Sequence, residues 1–236
     1  VLDLDKSKDD AYYSTKEGRI HFYPNNVSEL AEHFPVASGD YRVGMDLLAK
    51  QLLQLILHCS GVPCCSFDTV IDKHTSILSM NYYEPLGTNS HSEPIVRVEA
   101  HTDVSLITIV AQSAQSGTAA GALQVFIRDA EGGGEFVTVP YIPGALVVNV
   151  GDCLHDWSQG RFPSALHRVV NLPAHSTGST SEENVGRSRY SLAYFYAPNY
   201  DAIMKWPDTD GTALDSIDYS TWRKNHIKKA MQKLKK

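Results

Sequence analysis

The stretch IVRVEAHTDVSLITIVAQ, residues 95–112, decides the fold. It holds two runs rich in β-branched and aliphatic residues, IVRVEAH (95–101) and SLITIVAQ (105–112), and both read as strands. His101 closes the first run, and Asp103 stands in the short link to the second. A core strand would rather have valine at such positions, so these two polar, metal-competent side chains need a reason. Alternate strand residues face one side, so His101 and Asp103 can point into a common space if the chain begins to turn at the aspartate.

Working outward, similar short runs flank this stretch. ILSMNYY (77–83) precedes it, and ALQVFIR (122–128), EFVTVPY (135–141), ALVVNVG (145–151), ALHRVVN (165–171) and YSLAYFY (190–196) follow. Gly, Pro, Asp and Ser separate them, notably in EGGGE (131–135) and YIPGA (141–145), which is the pattern of an all-β sandwich or barrel. Eight short antiparallel strands fit a double-sheet jelly roll enclosing a ligand cavity. The expected fold class is mainly β with flanking helices.

Those helices are predicted at two places. Leucines at helical spacing in MDLLAKQLLQLILH (45–58) predict a core-packing helix, which the Gly and Pro of CSGVP (59–63) should end. In the tail from Ser220, Trp222, Ile227, Met231 and Leu234 are spaced as one face of an amphipathic helix, with lysines toward its C-terminal end. The expected organisation is one domain. Residues 1–70 form an N-terminal helical and irregular support, 71–200 the jelly-roll core, and 201–236 a helical tail docked by its apolar face. The Ser/Thr-rich segment HSTGSTSEENVGRS (175–188) reads as a surface loop.

Composition excludes several classes. The 236 residues, 42% hydrophobic and 20% charged, suffice for a domain with its own core, and the net charge of −6 argues against a nucleic-acid partner. Cys59, Cys64, Cys65 and Cys153 show neither paired CxxC spacing nor disulfide-scaffold density, so a reduced, cytoplasmic setting is expected. There is no long apolar run and no signal-peptide pattern, so no membrane contact is expected either. The sequon Asn26-Val27-Ser28 carries little weight without a secretory context. A monomer acting on a small molecule is the simplest expectation.

Two ligands are too few for a metal centre. Non-haem oxygenase iron is held by two histidines and one carboxylate on one face, leaving positions open for substrate and oxygen. The missing histidine should come from another strand, and His167 in SALHRVVN meets that condition. Its best rival is His155 in GDCLHDW, which follows a strand and has Asp152 and Asp156 beside it. The other histidines lie in loops or helices or lack a partner at ligand spacing.

The segments HTDVSLITIV, GALQV, PGALVVNVGD, SQGRFPSALHRVV and RYSLAYF together resemble, in order, the iron(II)- and 2-oxoglutarate-dependent oxygenases of the isopenicillin N synthase-like group. The resemblance runs roughly from Tyr41 to Pro198. HxD alone is a weak signal, whereas HxD, a distal His before Arg-Val, and RxS make a specific combination. The resemblance implies a double-stranded β-helix core in which His101, Asp103 and His167 bind iron(II), and Arg189 and Ser191 bind the distal carboxylate of 2-oxoglutarate. Physical chemistry agrees on the last pair. A guanidinium fork matches a carboxylate bidentately, and Ser191, two residues on, adds a hydroxyl on the same side of the strand. MNYYEP resembles the family's Asn-x-Tyr segment near the cosubstrate, which nominates Asn81 and Tyr83.

The implied activity is that of a dioxygenase (an oxidoreductase) consuming O2 and 2-oxoglutarate and giving succinate and CO2, with ascorbate a candidate reductant. The oxidised compound would be a small metabolite, of the kind met in specialised metabolism, undergoing hydroxylation, desaturation or oxidative cyclisation. Arg97 and Glu99 share strand parity with His101, and a charged pair there would suit a zwitterionic or carboxylate, amino-acid-derived substrate. Three departures from the family stand out: the longer stretch between His167 and Arg189, Glu84 where proline commonly follows the tyrosine, and an abbreviated N-terminal region. Two alternatives remain. One is an iron oxidase or cyclase that needs no 2-oxoglutarate, since HTDVSLIT is especially similar to the isopenicillin N synthase form of the motif. The other is a non-catalytic jelly roll that only holds a metal or ligand.

Overall fold

In the computed structural model, the described residues are 34–62, 64–84, 94–113, 122–171, 188–204 and 217–233. The sequon at 26–28 and nearly all of the 175–188 segment lie outside them. The chain forms helix α1 (Phe34–Cys59), a 3-10 segment (Cys64–Val70), and strands β1 (Ile77–Tyr83), β2 (Ile95–His101), β3 (Ile107–Gln112), β4 (Ala122–Arg128), β5 (Gly134–Thr138) and β6 (Val147–Val150). A short helix α2 (Asp152–Trp157), strands β7 (His167–Asn171) and β8 (Arg189–Tyr196), and helix α3 (Tyr219–Lys233) follow.

Each expected strand is present, in two four-stranded sheets. One has the order β1-β8-β3-β6 and the other β2-β7-β4-β5, and every neighbouring pair is antiparallel. This is the double-stranded β-helix. Consecutive strands β2 and β3 belong to different sheets, so the 102–106 link is a crossover between them. That crossover carries Asp103.

Helix α1 starts eleven residues earlier than the leucine pattern at Met45 indicates. Pro35, Gly39 and Gly44 hide the start. Pro35 lies in the first turn, where its missing N–H has no intrahelical partner to lose. Ala49, Leu53 and Leu57 join Ile107, Ile109, Tyr194 and Tyr196 of β3 and β8 in one buried cluster, so α1 covers the outer face of the first sheet. Truncating Leu53 to Ala would cost about 2–5 kcal/mol. The helix ends as expected. Gly61 takes φ +75°, its N–H reaches the His58 carbonyl, and the Val62 N–H reaches that of Leu57, the paired bonds of a Schellman cap.

The tail differs from expectation. Helix α3 forms, but it docks by Tyr219, Trp222 and His226 rather than by a face running to its end: Trp222 is buried, Ile227 is half-buried, and Met231 is 58% exposed. Polar contacts choose this face. The Trp222 indole N–H donates to Asp156 (3.1 Å), and His226 Nε2 lies 2.8 Å from Asp152 Oδ2. Apolar periodicity cannot see such partners. Leu234 lies outside the described residues.

Candidate active site

His101 is the last residue of β2 and His167 the first of β7, and the two face each other across the antiparallel pair. Their rings lie 4.3 Å apart between centroids. Asp103, in the crossover, completes the group: its Oδ1 is 3.8 Å from His101 Nε2 and 3.7 Å from His167 Nε2. All three ligand atoms lie within 4.8 Å of one another. No other group of three or more His, Cys, Asp or Glu residues is so placed among the described residues. That disposes of His155, which sits on α2.

The atoms turned away from this space are already engaged. His101 Nδ1 is 2.7 Å from the Glu99 carbonyl and His167 Nδ1 is 2.9 Å from that of Ala165. A carbonyl only accepts, so each Nδ1 carries the proton and each Nε2 keeps its lone pair for the shared space. Asp103 Oδ2 accepts from Thr108 Oγ1 (2.7 Å) and Asn149 Nδ2 (2.8 Å), which leaves Oδ1 on the metal side. Such outward bonds orient metal ligands. The donor set, two imidazole nitrogens and a carboxylate oxygen, fits iron(II) with open positions.

The crossover is fixed by the segment after β6. The N–H groups of Gly151, Asp152 and Cys153 donate to the carbonyls of Leu106, Asp103 and Ser105 at 3.0, 2.7 and 3.1 Å. These are donors at the start of α2, which would otherwise lack partners. Gly151 is required by this approach, because a Cβ there would meet the Ser105 carbonyl oxygen at 2.2 Å. Asp152 also accepts from Thr102 Oγ1 (2.8 Å) with the same Oδ2 that meets His226, so α3 is tied to the residue between the two motif ligands. Thr108, Asn149 and Asp152 were not nominated from sequence. Their signal was the one that exposed His101, a polar residue within or beside an aliphatic run, as in ITIV and VVNVGD.

The second group lies on the other sheet. Asn81 pairs with Ser191 and Tyr83 with Arg189 across β1 and β8, so register brings the four nominated residues together. Asn81 Nδ2 donates to Ser191 Oγ (3.3 Å), and the Arg189 guanidinium lies 4.7 Å from the Tyr83 ring centroid while donating to Gln112 Oε1 (3.3 Å). Arg189 is 1% exposed. Burial pulls its pKa below the usual arginine value, and the Tyr83 phenol acts in the opposite direction. A buried guanidinium with a hydroxyl on the same strand face is a donor set suited to a carboxylate. That face of β8 continues by alternation through Ala193 to Phe195. Phe195 lines a cavity of about 620 Å³ together with His101, Asp103, Ile77, Tyr200 and Tyr219.

The parity argument for Arg97 and Glu99 does not hold. Register shifts between Val96 and Val98 and again between Val98 and His101 break the alternation, and Val98, not Glu99, is the preceding residue paired with β7. The Arg97 guanidinium donates to the Glu84 carbonyl (3.0 Å). Bulges of this kind are invisible to a period-two count.

A jelly roll whose sheet crossover joins two strand-end histidines to a carboxylate defines a class, the β-helix proteins built around a single metal-competent triad. Comparison places the chain within it. Residues 74–198 match the model of the 2OG-Fe(II) oxygenase superfamily, and the chain belongs to that superfamily. It is 37% identical over 174 residues to gibberellin 3-beta-dioxygenase 2 of Arabidopsis thaliana, covering 70% of this chain and 42% of that protein. It is 29% identical over 208 residues to proline hydroxylase buaE of Petromyces alliaceus, covering 87% and 60%. Among solved structures, a full-length Neurospora crassa protein in complex with alpha-KG aligns with a TM-score of 0.67 at 25% identity, covering 87% of this chain and 60% of that one. The chain thus spans about half the length of the curated relatives it matches.

Proposed function

We propose that this protein is an iron(II)- and 2-oxoglutarate-dependent dioxygenase that oxidises a small molecule, with His101, Asp103 and His167 as the iron ligands. The observation that carries the reading is the triad itself: three ligand atoms converge while their partner atoms are bonded outward. Arg189 and Ser191 hold the distal carboxylate of 2-oxoglutarate, with Tyr83 against the guanidinium face and Asn81 orienting the serine hydroxyl. When bound, iron supplies the oxygen activation that is coupled to conversion of 2-oxoglutarate to succinate and CO2. The chain's part is to turn both Nε2 atoms toward the metal, to neutralise a carboxylate beside buried Arg189, and to hold a substrate C–H beside His101. The aromatic and aliphatic cavity wall serves that last task by limiting where the substrate can sit.

The relatives are named for different compounds, a gibberellin and proline among them, and the proposed reaction is hydroxylation, desaturation or oxidative cyclisation of a small metabolite. Residues 71–200 act as the catalytic core, with 1–70 and 201–236 as supports of the same domain. The net charge of −6 supports a small-molecule rather than nucleic-acid partner, and a monomer acting in the cytoplasm is the simplest setting. Among the described residues no helix is long and apolar enough to cross a membrane. Anaerobic titration with iron(II) and then 2-oxoglutarate tests the proposal. One iron per chain is expected, followed by saturable 2-oxoglutarate binding that Arg189→Lys weakens. Iron without any 2-oxoglutarate binding would favour an oxidase like isopenicillin N synthase, and no iron binding would leave a ligand-holding jelly roll.

A further inference from the structure

The cavity beside His101 and Asp103 is lined on one side by helix α3, through Tyr219, Ser220, Arg223 and Lys224. Its charged lining is unequal. Asp103 is the one acid, and its two oxygens face the triad and the Thr108 and Asn149 donors, whereas Arg223 and Lys224 are both cations. Neither cationic side chain takes part in an ion pair or hydrogen bond among the described residues. The acid nearest in sequence, Asp218, is committed elsewhere: it caps α3, accepting from the Thr221 N–H (2.9 Å) and the Ser220 hydroxyl (2.7 Å).

The stretch of α3 that carries the two cations is held in place. Trp222 and His226 bracket them and fasten α3 to Asp156 and Asp152, and the Tyr219 hydroxyl reaches the Val104 carbonyl (3.4 Å) in the crossover itself. Two adjacent lining positions on a helix anchored at both sides form a fixed cationic rim, while Ile77, Phe195 and Tyr200 supply an apolar and aromatic body to the same space. A small molecule with a carbon skeleton and one anionic end matches both parts.

We propose that Arg223 and Lys224 form the substrate-recognition subsite of this cavity and that the substrate is a small organic anion, a carboxylate, whose charged end lies against α3 and whose apolar body reaches toward His101. This rests on the oxygenase reading for what is oxidised, but the subsite is a binding site in its own right. It replaces Arg97, which the register of β2 removes as a parity-based candidate.

The test uses the full chain with saturating 2-oxoglutarate, so that the cosubstrate does not compete as the probe. The probes are matched acid and amide pairs, such as 3-phenylpropanoate with 3-phenylpropanamide and cyclohexanecarboxylate with its amide, titrated calorimetrically at millimolar concentration. The acids should bind at least about tenfold more tightly than their amides, as expected of a charge pair against a partly desolvated wall. The Arg223→Gln/Lys224→Gln double variant should erase the preference. Arg223 is half-buried and Lys224 exposed, and glutamine keeps the helix propensity, so the fold should be retained, which circular dichroism checks. Equal binding of acids and amides, binding of neither, or a preference that survives the double substitution would overturn the subsite. Iron(II) and 2-oxoglutarate affinities of the unsubstituted protein report separately on the oxygenase reading, so a failed subsite with intact iron binding and a failed oxygenase with intact acid preference are distinguishable outcomes.

Discussion

The two groups of functional side chains differ in how the fold holds them. The metal triad sits at the end of one sheet and on the crossover to the other. His101 is 42% exposed there, and backbone carbonyls and neighbouring polar side chains set each ligand's orientation. Arg189 and Ser191 sit buried within a continuous antiparallel pair with half-buried Asn81 and Tyr83 opposite them, and cross-strand register brings the four together. An open site fixed by loop hydrogen bonds can exchange ligands with solvent. A dry site fixed by register can hold one charged group strongly but tolerates little change of shape.

The largest effect should come from breaking the open site at its donors. His167→Ala leaves two ligands and should abolish iron(II) binding and turnover together, measured by metal analysis after anaerobic loading. His155→Ala, outside the triad, should retain both.

Breaking the dry site should leave iron in place. Arg189→Lys removes the bidentate geometry from a desolvated position, which costs on the order of 2–5 kcal/mol. The 2-oxoglutarate requirement should therefore rise at least about tenfold, read as its apparent KM, while iron content is unchanged. An unaltered requirement would mean that the two groups do not divide the work as described.

A subtler cut separates ligand from orientation. Asn149→Ala leaves every metal donor in place but frees one side of Asp103 Oδ2, so iron affinity should fall about 10–100-fold without being lost. Direct iron titration reads this.

The smallest effect concerns the tie between α3 and the crossover. Asp152 raises the His226 pKa above 6.5, mainly by their hydrogen bond. Burial pushes the Asp152 carboxyl up, and hydrogen bonds from His226, Ser164 and Thr102 more than reverse this, leaving it below 3.8. A raised histidine pKa contributes stability in full below the unfolded value and loses it as pH climbs through the folded one. The depressed aspartate loses its share only as pH falls through its own folded value. The Tm difference between wild type and His226→Gln should thus be largest between pH 3.8 and 6.5 and shrink above it. The pair is partly exposed, so its worth is at most about 1 kcal/mol, or roughly 2–4 °C in Tm.

What could be read from sequence follows from how local each signal is. The eight strands were legible because short aliphatic and β-branched runs and Gly/Pro punctuation are local, and the HxD pair because polar residues interrupt such a run. The start of α1 was hidden because Pro35, Gly39 and Gly44 read as breakers, although the helix runs through all three. The docking face of α3 was misjudged, and strand parity fails for Arg97 and Glu99, for a common reason. Both depend on partners far along the chain: Asp152 and Asp156 for the helix, the bulged register against β7 for the strand. Thr108 and Asn149 carried a signal of their own, a polar residue in an aliphatic run, but nothing in ITIV or VVNV tells that both meet one carboxylate oxygen.

The central claim is that iron at the open site and 2-oxoglutarate at the dry site work together. Its most direct measurement is the succinate released per O2 consumed by the iron-loaded protein, above that of a protein-free iron and ascorbate blank, with and without 2-oxoglutarate. The account predicts one succinate per O2 and no oxygen uptake when 2-oxoglutarate is omitted. Sustained, iron-dependent oxygen uptake without 2-oxoglutarate, or none under any condition in protein that binds both iron and 2-oxoglutarate, would contradict it.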